Sequence, residues 1–183
     1  MKNFSLVPRK QLSHGRIGEA AVSAKCWMHG IPAYNTGGLR ANFAGSDLMI
    51  DTLNPKVKKL VQVKTGYRPT GDNVYLTQCK GEIDLEGDKF VSDFVVFVNI
   101  DRKVGTHNHD GTFGFEHLEF YVVPQVQANE MYKAAIQRDH ARPLRAGGVR
   151  KLGNMSVIVP REGMSEFLDA WHLMRATDVS FGI

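Results

Sequence analysis

The sequence predicts an α/β domain: a mixed central β-sheet flanked by helices. Three observations carry that expectation. Stretches with helical periodicity bracket a series of strand-like stretches, and turn residues separate them. One stretch, Phe94-Val-Val-Phe-Val-Asn-Ile, reads as a continuous apolar run, the pattern of a strand buried on both faces. The chain of 183 residues is 43% hydrophobic and 23% charged, an ordinary globular composition. At that length about 70% of the unfolded surface can be buried, which excludes disorder as the main description.

Residues 13–30 carry the first helical pattern, with Ser13 as N-cap and Ile17, Ala21, Ala24 and Met28 along one face. Gly30 and Pro32 close it, and Gly37-Gly38 marks a turn. Ser46–Asp51 and Val57–Lys64 read as two strands of a hairpin, joined by a turn at Leu53-Asn-Pro-Lys. Val74–Cys79 and Phe94–Ile100 are the next strands, and a polar loop with His107-Asn-His109-Asp110 follows. Phe120-Tyr-Val-Val-Pro is a further strand, with Pro124 leading into a helix through about Ala141. A Gly-rich basic loop, a short strand at Met155–Val159 and an amphipathic helix over Ser165–Ala176 complete the chain. With no internal repeat and no long linker, the expectation is one domain over 1–183. Its core would cover about 13–140, with the basic loop and C-terminal helix over 141–183.

No stretch approaches the roughly 18 apolar residues of a membrane span. Met1-Lys-Asn-Phe-Ser-Leu-Val-Pro-Arg lacks the apolar run of a secretory signal. Cys26 and Cys79 are too few for a disulfide framework and read as reduced, structural residues. A cytoplasmic protein is the expectation. The formal net charge is +4, but Arg138, Arg142, Arg145, Arg150, Lys151 and Arg161 face only Asp139 between 138 and 161. A concentrated basic segment on a near-neutral body points to a polyanion. Gly147-Gly148 would let its backbone approach phosphates closely, which makes Arg142, Arg145, Arg150 and Lys151 candidate DNA contacts.

The hairpin holds the chemistry. Alternation puts Gln62 and Lys64 on one face of their strand, with Val61 and Val63 on the other. A turn near 53–56 sets Asp47 opposite 62–64, so a carboxylate, an amide oxygen and an ammonium converge. Glu19 adds a second carboxylate if the first helix packs on this sheet. Such oxygens suit a hard divalent cation such as Mg²⁺ or Mn²⁺. A lysine beside them can orient a water or stabilise charge on a phosphate. Gln78-Cys-Lys80 and Asp101-Arg-Lys103 repeat the acid-or-amide-x-Lys spacing, but only Gln62-Val-Lys64 follows an Asp-led strand across one short turn. Asp51 shares the face of Asp47 and reads as a turn residue. His107 and His109 could reach one metal, but a Gly-bounded loop without a nearby cysteine reads as a solvated connection. Trp27, Trp171 and the face Met164, Phe167, Leu168, Trp171 read as core.

Gly15-Arg-Ile-Gly-Glu19, Gly45-Ser-Asp47-Leu-Met-Ile and Val61-Gln-Val-Lys64-Thr, in that order, resemble the PD-(D/E)XK nuclease superfamily with its restriction-endonuclease-like fold. Ser92-Asp-Phe-Val-Val-Phe-Val and Glu119-Phe-Tyr-Val-Val-Pro look like the paired core strands of Holliday-junction-resolvase-like and intron homing endonuclease members. The resemblance implies Asp47 as principal metal ligand, Gln62 as second ligand, Lys64 as catalytic lysine and Glu19 as the helix carboxylate. It departs at Ser46, where the family has proline, and at Gln62, where it usually has an acid. The implied protein is a Mg²⁺-dependent DNA endonuclease acting on duplex or branched DNA, with a homodimer supplying two sites. Two alternatives come from other classes: a catalytically silent nucleic-acid-binding protein on this fold, and a protein-interaction domain with a basic tail.

Overall fold

The computed structural model describes residues 10–36, 45–52, 57–69, 71–79, 86–101, 115–141 and 155–175. Chain order is α1 (Lys10–Met28), β1 (Ala33–Asn35), β2 (Leu48–Asp51), β3 (Lys58–Tyr67), β4 (Asn73–Cys79), β5 (Phe94–Ile100), β6 (Leu118–Pro124), α2 (Gln125–Ala141), β7 (Met155–Pro160) and α3 (His172–Arg175). Five strands form a mixed sheet in the order β1-β2-β3-β5-β6, and β4 and β7 pair separately. Only β3 and β5 run parallel, from Val61↔Phe94 to Tyr67↔Ile100. The other neighbours are antiparallel. The α/β class with a mixed central sheet flanked by helices is therefore observed.

All seven residues of β5 are buried, because the sheet is covered on both sides. On one face Val96, Val98, Val61, Val63, Leu48 and Ile50 meet Val22 and Cys26 of α1, with Trp171 and Met174 from the tail. On the other, Val95 and Phe97 meet Leu76, Val157 and the α2 stripe Ala128, Tyr132, Ala135 and Ile136. Asn99 interrupts the apolar run for a reason. It accepts from Tyr75 N at 2.8 Å and donates to Tyr75 O at 3.0 Å, so a 1% exposed amide pins the second sheet to the first. Glu119 makes a second tie: Arg161 grips it through Nη2 at 2.9 and 2.7 Å, and Arg68 reaches it at 2.9 Å.

Several sequence expectations shift. Helix α1 starts at Lys10 rather than beyond Ser13, and its buried stripe is Gly18, Ala21, Val22 and Cys26. Met28 is exposed, so the expected face is rotated. Small residues cause the rotation: a Cβ on Gly18 would collide with Thr65 Oγ1, so only glycine lets α1 lie this close to β3. The C-terminus matches. Gly30 takes φ 69°, its N–H bonds Trp27 O at 2.9 Å, and Ile31 N bonds Cys26 O at 2.8 Å, a Schellman close.

The expected helix over 165–176 is instead a 3-10 turn, Glu162–Phe167, followed by the single turn α3. The break lies at Leu168–Asp169: Leu168 bridges to Tyr121, and Asp169 takes φ 49° while its N–H bonds Phe120 O at 2.8 Å. The edge of β6 competes for the backbone and wins. Leu168 is consequently exposed rather than core, whereas Met164, Phe167 and Trp171 are buried; Trp27 of α1 is exposed as well, against expectation. Both cysteines are unpaired and buried, and burial pushes the Cys26 thiol up to about 12. Among the described residues, no helix is long and apolar enough to cross a membrane. The turn at 53–56, the histidine loop and Arg142, Arg145, Arg150 and Lys151 lie outside the described residues.

Candidate active site

The site is built where β2 begins. Pairing of Leu48 with Val61 sets Asp47 across from Gln62, and Asp47 N extends the ladder to Val61 O at 2.9 Å. The Asp47 carboxylate turns into the strand pair, and its Oδ2 accepts from Val63 N at 2.6 Å. Its backbone is fixed as firmly. Thr36 Oγ1 donates to Ser46 O at 2.7 Å, and Thr36 N donates to Asp47 O at 3.0 Å. Ser46 Oγ lies 2.9 Å from Ser92 Oγ, which also donates to Gly45 O at 3.1 Å. Ser92 in turn follows Phe90, whose N–H and C=O are both held by the buried Asn129 side chain at 2.9 Å. Helix α2 thereby braces the loop that carries Asp47. The Ser46 hydroxyl thus ties the start of β2 to Ser92, and its carbonyl ties it to Thr36.

Alternation along β3 is as expected: Val61 and Val63 are buried toward α1, while Gln62 and Lys64 are half-buried on the other side. Gln62 Oε1 is a buried oxygen with no hydrogen-bond partner among the described residues. Such an acceptor is costly unless something donates to it or is coordinated by it. Glu19 reaches the same end of the sheet because the Gly18–Thr65 contact brings α1 close.

The electrostatics link three of these groups. Burial raises the Asp47 carboxyl above its ordinary range, although the Val63 N–H and the Lys64 ammonium oppose the rise. Burial lowers Lys64, with Asp47 opposing the fall and Lys89 adding to it. Glu19 is raised by burial and then by Asp47, against a lowering influence from Arg16. Attraction between Asp47 and Lys64 thus fails to offset their desolvation, the usual balance for a partly buried ion pair. Glu19 is thus held up partly by the negative charge of Asp47, and a cation near both would favour their ionised forms.

The donor set fits a hard divalent ion: Asp47 and Glu19 carboxylates and an orphaned amide oxygen. No group of three or more His, Cys, Asp or Glu gathers among the described residues, so such an ion would depend on Gln62. Asp51 stands apart. Tyr34 Oη donates to it at 3.2 Å, Lys58 lies 3.6 Å away, and four residues of strand put it about 13 Å from Asp47. Gln78 and Asp101 are likewise on β4 and past the end of β5.

Sequence reasoning passed over Thr36, Ser92 and Asn129, which position the Asp47 loop. Their signal was weak: Thr36 and Asn129 stand among polar neighbours and nothing in the sequence marks them as buried, although buried polar groups must find partners. No protein-family model matches the chain, and no curated protein does. Among solved structures the chain is similar to "a bacterial homing endonuclease", I-Ssp6803I, at 17% identity, covering 88% of this chain and 90% of that one, with a TM-score of 0.47.

Proposed function

We propose that this protein is a divalent-metal-dependent endonuclease that hydrolyses DNA phosphodiester bonds. The supporting observation is that burial disfavours the charged forms of Asp47, Glu19 and Lys64, with Asp47 held by the Val63 N–H across from the orphaned Gln62 oxygen. Groups so perturbed in one place are the mark of a functional site. In this reading Asp47, Gln62 and Glu19 hold Mg²⁺ or Mn²⁺. When bound, that ion polarises the phosphodiester and makes water a stronger nucleophile.

The chain's own residues do the remainder. Asp47, locked by Val63 N–H, fixes the geometry and spends no rotamer freedom when the substrate arrives. Lys64, whose ammonium loses its proton more readily than an exposed lysine, orients the attacking water and can take its proton. In its protonated form it steadies charge on the phosphoryl oxygens. Gln62 supplies a ligand oxygen without adding a third negative charge. A duplex cutter needs two such sites, which we assign to a homodimer; light scattering with and without DNA checks that assignment.

The deciding experiment is a cleavage panel over linear, branched and single-stranded DNA with Mg²⁺, Mn²⁺ or chelator, on the wild type and on Lys64→Ala. Metal-dependent cleavage lost in Lys64→Ala is the expected result. DNA binding without cleavage under every condition would instead establish the silent binding protein.

A further inference from the structure

Helix α1 has a second stripe that the fold does not bury. Arg16, Ala20, Ser23, Ala24 and Trp27 follow i, i+4, i+7, i+8 and i+11, and with Asn35 and Leu48 they line a cleft of about 660 Å³ against the β1–β2 edge. Glu19 lines the same cleft, and Leu48, the neighbour of Asp47, lies at its wall. The stripe runs about 16 Å from Arg16 to Trp27. Its floor is small side chains, and Arg16 stands at the end nearest the candidate site.

Trp27 is the unusual member. Its surface is 53% exposed, although its Nε1 donates to Ala33 O at 3.2 Å and its ring meets Tyr34 edge-on at 6.2 Å. An indole anchored by its N–H yet open to solvent is a rigid aromatic platform. A guanidinium at one end and an aromatic ring at the other form the pattern that binds a phosphate backbone with a base unstacked from its neighbours. An aromatic face is of use only to a base outside a duplex stack, which selects the occupant.

We propose that this cleft is a subsite for an unpaired DNA strand, in which Arg16 contacts a phosphate and Trp27 stacks on a base. The proposal rests on the endonuclease reading in one respect: the strand is the one whose phosphate lies at Asp47 and Glu19. Charge complementarity supports it. The two carboxylates repel a polyanion on their own, whereas a bound divalent cation together with Arg16 makes this end of the cleft positive. The substrate class that follows is DNA with an unpaired segment beside the cut, such as a branch or a frayed end.

The molecule carries its own probe. Trp171 is 1% exposed and Trp27 is the other tryptophan, so quenching of indole emission by an added strand reports Trp27. The full chain is titrated, with Ca²⁺ present, with a labelled single-stranded oligodeoxynucleotide and with the matching blunt duplex. Indole emission and label anisotropy are followed together. The single strand should quench the emission and bind about tenfold more weakly to Trp27→Ala, within the range measured for loss of one stacked base. Ala20→Glu, at an exposed helical position, should reduce strand binding by a similar factor while circular dichroism stays unchanged.

Strand binding at wild-type affinity in both variants, or saturation without quenching, overturns the subsite. The two proposals fail separately. Metal-dependent cleavage in a chain whose Trp27 does not respond removes the subsite alone. Trp27-dependent strand binding in a chain that cuts nothing removes the endonuclease reading and keeps the subsite.

Discussion

Asp47 shows what the proposed metal ligand costs the fold. Its folded-state carboxyl sits above the unfolded value, so its ionisation opposes folding. The stabilising contribution of its protonated form is complete below the unfolded value near 3.9 and is lost as pH rises through the folded value. At pH 7, Asp47→Asn should therefore raise Tm while lowering cleavage by orders of magnitude, and the gain should shrink on acidification toward pH 4. Scanning calorimetry across pH, beside a cleavage assay, tests this. A variant that is less stable at pH 7 would show that the Val63 hydrogen bond outweighs desolvation. Gln62→Glu makes the complementary case. A third carboxylate should lower the Mg²⁺ concentration for half-maximal activity and enlarge the rise in Tm that Mg²⁺ produces. An unchanged metal titration would remove Gln62 from the ligand set. The sequence made the juxtaposition of Asp47 with Gln62 legible because strand alternation and one short turn determine who faces whom, whereas the place of Glu19 depended on how α1 packs. It could not show the orphaned oxygen, which depends on side-chain packing from elsewhere.

Among the elements, β5 was the most legible, since an apolar run needs cover on both faces wherever it lies. Strand β1 was not read at all: three residues after Pro32 carry no periodicity. Strands β4 and β7 were read as strands, but their separation into a second sheet was not foreseen. Cys79 pairs with Met155 and Asn73 with Pro160, and nothing within either segment names a partner some eighty residues away. The α1 stripe was misread for a related reason: periodicity locates apolar residues, whereas close approach to β3 is set by a glycine. Gly18→Ala puts a methyl group onto the Thr65 hydroxyl. We expect it to cost about 1–3 kcal/mol and to lower activity as well, because it displaces the turn that carries Glu19. Thr65→Ala in the same chain should recover part of both losses. Denaturant midpoints and single-turnover rates for the single and double variants would check this, and a neutral Gly18→Ala would mean that α1 is free to move away.

For the whole molecule, the charge distribution sets how DNA is approached. If Arg142, Arg145, Arg150 and Lys151 meet phosphates, each neutralisation should weaken DNA binding regardless of sequence. Each should also make log K against log[salt] shallower by about 0.9 for duplex DNA. An Arg145→Ala/Arg150→Ala pair with unchanged affinity and slope would move the DNA path toward Lys58 and Lys59 beside the hairpin. The burial of both thiols has a practical consequence for such measurements. With burial pushing the Cys26 thiol up to about 12, it stays a thiol at neutral pH and reacts poorly. Cys79 is shut away at 2% exposure, its sulfur 3.0 Å from the Tyr132 hydroxyl. A single cysteine introduced on the exposed surface, at Glu166 for example, would thus be the one position that takes a maleimide dye. Native chain and labelled chain would then differ at one chosen residue, and distances from that dye to a tagged DNA end could be read without first stripping the protein of its own sulfur.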